Sequence, residues 1–141
     1  TTKEIKTMKK IRIGGGAGFA GDRVDAAVVL IEKGNLDYII FECLAERTIG
    51  LAKQEMLKDP TKGYSRLLEY RMSQVLKPAK EHGVKIITNM GAVNPHAAVM
   101  KVMEIAEEQG ANFSQAFFQA LVNYCALLIT MDDSNIEITR K

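Results

Sequence analysis

Lys10-Ile11-Arg12-Ile13-Gly14-Gly15-Gly16-Ala17-Gly18-Phe19-Ala20-Gly21-Asp22 is the stretch on which the fold turns. A strand-length apolar run over 11–14, with Ile11 and Ile13, enters a segment dense in glycine. That order reads as a short strand delivering the chain to a tight turn, with Asp22 placed to cap the next helix. Val24, Ala27, Val28 and Ile31 then recur every three or four residues, and Gly34 sits where a helix would stop. Leu36-Asp37-Tyr38-Ile39-Ile40-Phe41 is a nearly unbroken apolar strand, the pattern of a strand covered by helices on both faces. Residues 11–41 therefore form one strand-loop-helix-strand unit.

Working outward, residues 45–58 are predicted to be helical, with Ile49, Ala52 and Met56 on one side. Asp59-Pro60-Thr61-Lys62-Gly63 punctuates the chain as a turn. A helix over 64–82 carries Leu67, Leu68, Val75, Leu76 and Ala79, and Pro78 is expected to kink or end it. Gly83 releases the chain into a third strand over 84–88, and Asn94-Pro95 supplies a cap and a first-turn proline for a helix reaching Gln109, before Gly110. Strands alternating with helices imply an α/β class: three layers, a mainly parallel sheet with right-handed helical crossovers, Rossmann-like, with ligand loops at the carboxyl ends of the strands. Those ends are 14–23, 42–47 and 89–94, which a parallel sheet brings to one rim.

Three regions are expected: a basic arm at 1–10, an α/β core at 11–110, and an apolar helix or edge element with a polar tail at 111–141. Lys3, Lys6, Lys9 and Lys10 against Glu4 give the arm +3, so the rest of this +2 chain sums to -1. That balance argues against a nucleic-acid binder. Two cysteines and the lack of a signal-like apolar run point to a reducing, cytoplasmic setting. Residues 111–131 carry no charge. Their Gln, Asn, Ser and Thr speak against a membrane span, and Phe113, Phe117, Leu121 and Leu128 at helical spacing favour a helix over 113–130 covered by self-association, the alternative being burial within the chain by a larger sheet, with strands near 126–131 or 136–139. Ile136-Glu137-Ile138 alternates as a short edge strand would.

The glycine segment lacks the Lys of an ATP-type phosphate loop. Gly16-Ala17-Gly18-Phe19-Ala20-Gly21 does match G-x-G-x-x-G after a strand, and Glu42 lies about twenty residues on, where a dinucleotide site places its ribose-binding acid. Nucleotide, another anion, or tight packing alone all account for these glycines. Gly15, Gly16, Gly18, Gly21, Asp22 and Arg23 are the candidate ligand contacts there. In Glu42-Cys43-Leu44-Ala45-Glu46-Arg47, the carboxylates of Glu42 and Glu46 are candidates for acid-base work or for holding a divalent cation. Arg47 suits a carboxylate or phosphate, against the plainer possibility of pairing with Glu46 or Asp22. Cys43 is a candidate nucleophile, though a small buried hydrophobe is the commoner use of such a residue. His96, in a helix first turn near the rim, is a candidate base; Asn89, Gly91 and Asn94 complete the binding set. His82 belongs to the opposite end. No His or Cys spacing forms a zinc motif.

The runs 11–23, 41–48, 59–64 and 89–95, as quoted above, together resemble the amino-terminal region of the acyclic terpene utilisation family, AtuA-like, a domain of unknown function. That resemblance implies a setting in bacterial breakdown of citronellol-type terpenes through CoA thioesters, with no assigned reaction and no defined cofactor. Family proteins are longer, so the chain resembles part of one. The combined expectation is an enzyme-like domain binding a small anion or acyl thioester, with a place in terpenoid or branched-acid catabolism. The alternative is a non-catalytic interaction or assembly domain. Neither reading involves nucleic acid or a membrane.

Overall fold

The computed structural model describes residues 9–110 and the backbone of 117–121 and 126–130. In chain order the elements are β1 (Ile13–Ala17), α1 (Asp25–Lys33), β2 (Tyr38–Phe41), α2 (Glu46–Lys58), α3 (Leu68–His82), β3 (Lys85–Thr88), α4 (Pro95–Glu108), β4 (Phe117–Leu121) and β5 (Ala126–Thr130). The sheet order is β1-β2-β3-β5-β4. The first three strands are parallel, with Gly14 opposite Ile39 and Ile39 opposite Ile86. β5 runs antiparallel to β3, and β4 antiparallel to β5. A three-stranded parallel sheet flanked by four helices is the α/β, Rossmann-like arrangement that the alternating pattern implied.

The glycine run itself corrects the first reading. β1 passes through Gly14, Gly15 and Gly16 instead of ending before them. The reason is steric: a Cβ on Gly14 would lie 2.5 Å from Leu36 Cδ1, and one on Gly16 2.5 Å from Phe41 Cε1. Those two glycines let the strand pack tightly against its own core. Asp22 does not cap α1, which starts three residues later. Its carboxylate instead accepts the Gly18 N–H at 2.9 Å and the Arg23 N–H at 2.9 Å, closing the loop on itself.

Burial along the strands alternates, with Gly14, Gly16, Ile39, Phe41, Ile86 and Thr88 covered. The core joins Ile39, Phe41 and Ile86 to Ile31, Leu68, Met72, Val75, Leu76 and Val102 from α1, α3 and α4. The opposite face bears Ile13, 60% exposed, and Ile40, 37% exposed. Among the described residues β2 is thus packed by helices on one face and half-open on the other.

α3 begins at Leu68, because 64–67 is held as a loop by Ser65 N–H donating to Met90 O at 2.8 Å. Pro78 lies inside α3 without ending it, and Gly83, with φ of 65°, terminates it. Asn94 caps α4 through its side chain, as its place before Pro95 implied. The charge-free segment departs most from expectation: where a helix was predicted over 113–130, the backbone forms the β4–β5 hairpin. Short apolar runs satisfy both periodicities, and apolar positions alone do not separate them. The helix-borne self-association surface falls with that helix. The arm through residue 8, Cys125 and the 136–138 strand lie outside the described residues.

Candidate functional site

The carboxyl ends of β1, β2 and β3 meet, because parallel pairing leaves the three following segments on one rim. Glu42 N–H donates to Ala17 O at 3.1 Å, joining the first two. Asn89 joins the second to the third. Its Oδ1 accepts the Cys43 N–H at 2.8 Å, and its Nδ2 donates to Glu42 Oε1 at 2.7 Å. Since both ends of the amide are engaged, its orientation is fixed by its partners. Leu44 N–H also donates to Glu42 Oε1, at 3.1 Å, so one carboxylate oxygen is doubly bound while Oε2 has no partner among the described residues. Below them, buried Thr88 donates from Oγ1 to Phe41 O at 2.9 Å and accepts the Met90 N–H at 3.1 Å.

Arg71 of α3 comes up beneath this rim with 0% exposure. Its Nη2 donates to Ala20 O at 3.0 Å and Asp22 O at 3.1 Å, and its guanidinium lies 5.5 Å from the centre of the Phe41 ring. The remaining Nε and Nη1 are buried with no hydrogen-bond partner among the described residues. Burying a guanidinium with unused donors costs several kcal/mol, roughly, unless something anionic or polar meets them. Cys43 is buried beside it. Burial pushes the Cys43 thiol up, and nearby Arg71 offsets this only in part. The thiol therefore stays protonated at neutral pH, the form that is the weaker nucleophile.

The other sequence candidates divide. Gly18 spends its N–H on Asp22, and Gly16 and Gly91 are packing positions, Gly91 facing Pro95 Cα at 3.0 Å from a built Cβ. Gly15 lies on the open sheet face, and Gly21 is exposed beside the Phe19 ring. Arg23 forms a bidentate pair with Asp25, its Nε 2.7 Å from Oδ1. That pairing raises the Arg23 value and holds Asp25 down at about 2. Glu46 and Arg47 are exposed at the start of α2, with no bond to Glu42 or to the loop among the described residues. Asn94 donates to Pro60 O at 3.0 Å and Lys62 O at 2.8 Å, welding the 59–63 turn to α4. His96 is exposed in a separate groove of about 560 Å³ with Pro60, Tyr64 and Met100. Arg71 is the residue missed. The signal was present: Leu68, Arg71, Met72 and Val75 share one stripe of α3, and a charged residue on an apolar stripe needs a reason.

Among the described residues no group of three or more His, Cys, Asp or Glu is placed to hold a metal ion, and no helix is long and apolar enough to cross a membrane. Fold and rim together define an α/β domain with a loop site at the carboxyl ends of a parallel sheet. The family model described as "Acyclic terpene utilisation family protein AtuA" matches residues 11–120, and the chain belongs to that family. No curated protein and no solved structure matches the chain.

Proposed function

We propose that the rim binds a small anionic group, a carboxylate or the phosphate of an acyl thioester, in a reducing cytoplasmic setting. The observation that carries this reading is the pair of unpartnered donors on Arg71, Nε and Nη1, buried beneath the loop whose carbonyls the same side chain holds. A planar guanidinium fork is well matched to two oxygens of an anion. Glu42, held through Oε1 with Oε2 unpartnered, supplies the adjacent group able to accept a proton or a ligand hydroxyl. Its charge also disfavours an anion that brings no proton with it. Catalysis by Glu46, Arg47 or His96 at this rim finds no support in their placement.

Calorimetric titration with inorganic phosphate, acetate and acetyl-CoA tests the reading. The parent chain is expected to bind at least one of them saturably, and folded Arg71→Met to bind it at least about tenfold more weakly, the loss expected for a charge-assisted bidentate contact. Glu42→Gln is expected to tighten it. Absence of binding by the parent, or equal affinity in folded Arg71→Met, contradicts the proposal.

A further inference from the structure

α2 is a helix of 13 residues that fully buries only Ala52. Where a surface helix would seat an apolar stripe, α2 leaves a cavity of about 260 Å³ between itself, the loop carrying Ala20 and the 64–67 loop. Its apolar walls are Ala20, Leu51, Ala52 and Leu67. The polar side chains that also line it are all engaged within the protein. Thr48 Oγ1 donates to Ala45 O at 2.8 Å and accepts the Ala45 N–H at 2.7 Å, Ser65 Oγ accepts the Leu67 N–H at 3.4 Å, and the Tyr64 hydroxyl donates to Glu69 Oε1 at 3.4 Å. Arg66 and Glu55 are paired with each other, Nε to Oε1 at 2.5 Å. A cavity whose polar lining is already satisfied favours an apolar occupant over water, which finds few bonds to make there.

We propose that this cavity receives the carbon chain of the anion bound at Arg71, so that the ligand is an aliphatic monocarboxylate. The inference rests on the anion reading of Arg71 and narrows it. Two walls of the cavity are bonded to Arg71 itself: its Nη2 donates to Ala20 O at 3.0 Å, and its backbone N–H donates to Leu67 O at 2.9 Å. Charge and chain therefore join directly, as in a carboxylic acid. A CoA phosphate, separated from its acyl chain by the long pantetheine arm, does not meet that condition. Size limits the chain. A dry apolar cavity of about 150 Å³ holds benzene, so the cavity under α2 has room for a chain of roughly six to ten carbons. Leu51 and Ala52 of α2 are then the residues that set chain length, while Arg71 selects the charge.

Calorimetric titration with acetate, butyrate, hexanoate, octanoate and dodecanoate, each below its micelle concentration, tests it. Affinity for the parent is expected to rise about fourfold for each added methylene as far as octanoate, and to gain nothing further at dodecanoate. Circular dichroism checks that the variants are folded. Ala52→Leu, which fills the cavity, should flatten the rise, and Leu51→Ala, which enlarges it, should extend the rise to dodecanoate. In a separate arm, 1-hexanol, which has no anionic head, should shift the Ala20 and Ala52 methyl resonances saturably. Acetate binding with no gain along the series overturns the chain cavity alone, as does a gain that ignores both variants or a 1-hexanol titration that leaves the two methyls unmoved. Hexanoyl-CoA binding more tightly than hexanoate overturns the carboxylate head. Methyl shifts with 1-hexanol but no binding of any acid contradict the anion reading, and the monocarboxylate falls with it.

Discussion

Asn89 does at the scale of a single residue what the fold does for the whole rim. Its amide spans the ends of β2 and β3, with one atom on the Cys43 backbone and the other on Glu42. Asn89→Ala leaves a backbone N–H and a carboxylate oxygen short of a partner, and urea denaturation should show a loss of about 1–3 kcal/mol. Asp25 gives a pH-dependent counterpart. Pairing with Arg23 puts its folded value at about 2, below the ordinary 3.8, so the unfolded chain takes up the proton first. The contribution of the pair is thus present above 3.8 and lost as the pH falls towards 2. A stability profile by denaturation over that interval should fall more steeply for the parent than for Asp25→Asn. Of these residues, Asn89, Glu42 and Asp22 could be picked from the sequence because they flank strands and turns. The pairing of Asn89 with Cys43 and Glu42 could not, since contacts between residues 46 or 47 positions apart depend on register.

At the scale of elements, β1 shows how local composition misleads. Its glycines look like a turn because glycine is rare within strands, yet the space they leave is occupied by Phe41, Leu30 and Leu36. Gly16→Ala should therefore cost roughly 1–3 kcal/mol by overpacking, measured by thermal or chemical unfolding. Gly18→Ala should be nearly neutral, because its built Cβ has nothing closer than Asp22 Oδ2 at 4.0 Å. Equal losses at both positions would show that backbone freedom, not packing, sets the requirement. Helices α1 and α4 were legible to within a few residues, since Gly34, Asn94, Pro95 and Gly110 are local signals that tertiary packing did not override. Of the β4–β5 hairpin only β5 was legible, as the alternative of a strand near 126–131; β4 and the pairing with β3 were not, because that pairing is a long-range fact and the apolar residues suit either period.

For the whole molecule, parallel order over β1, β2 and β3 brings three strand ends to one rim, while helices α1, α3 and α4 contribute to the core on a single face. The rim's location followed from alternation of strands and helices alone. Its chemistry did not, because Arg71 lies in α3, outside every segment that topology assigns to the rim, and reaches it only through packing. Whether that guanidinium serves an anion is the central question, and its own resonance reports the answer most directly. In the nitrogen-15 NMR spectrum of the folded parent, the Arg71 Nε–H should be resolved and slowly exchanging, and should shift saturably on addition of phosphate, acetate or acetyl-CoA. A resonance that stays fixed through titration with all three, in protein that remains folded, would contradict an anion site at Arg71.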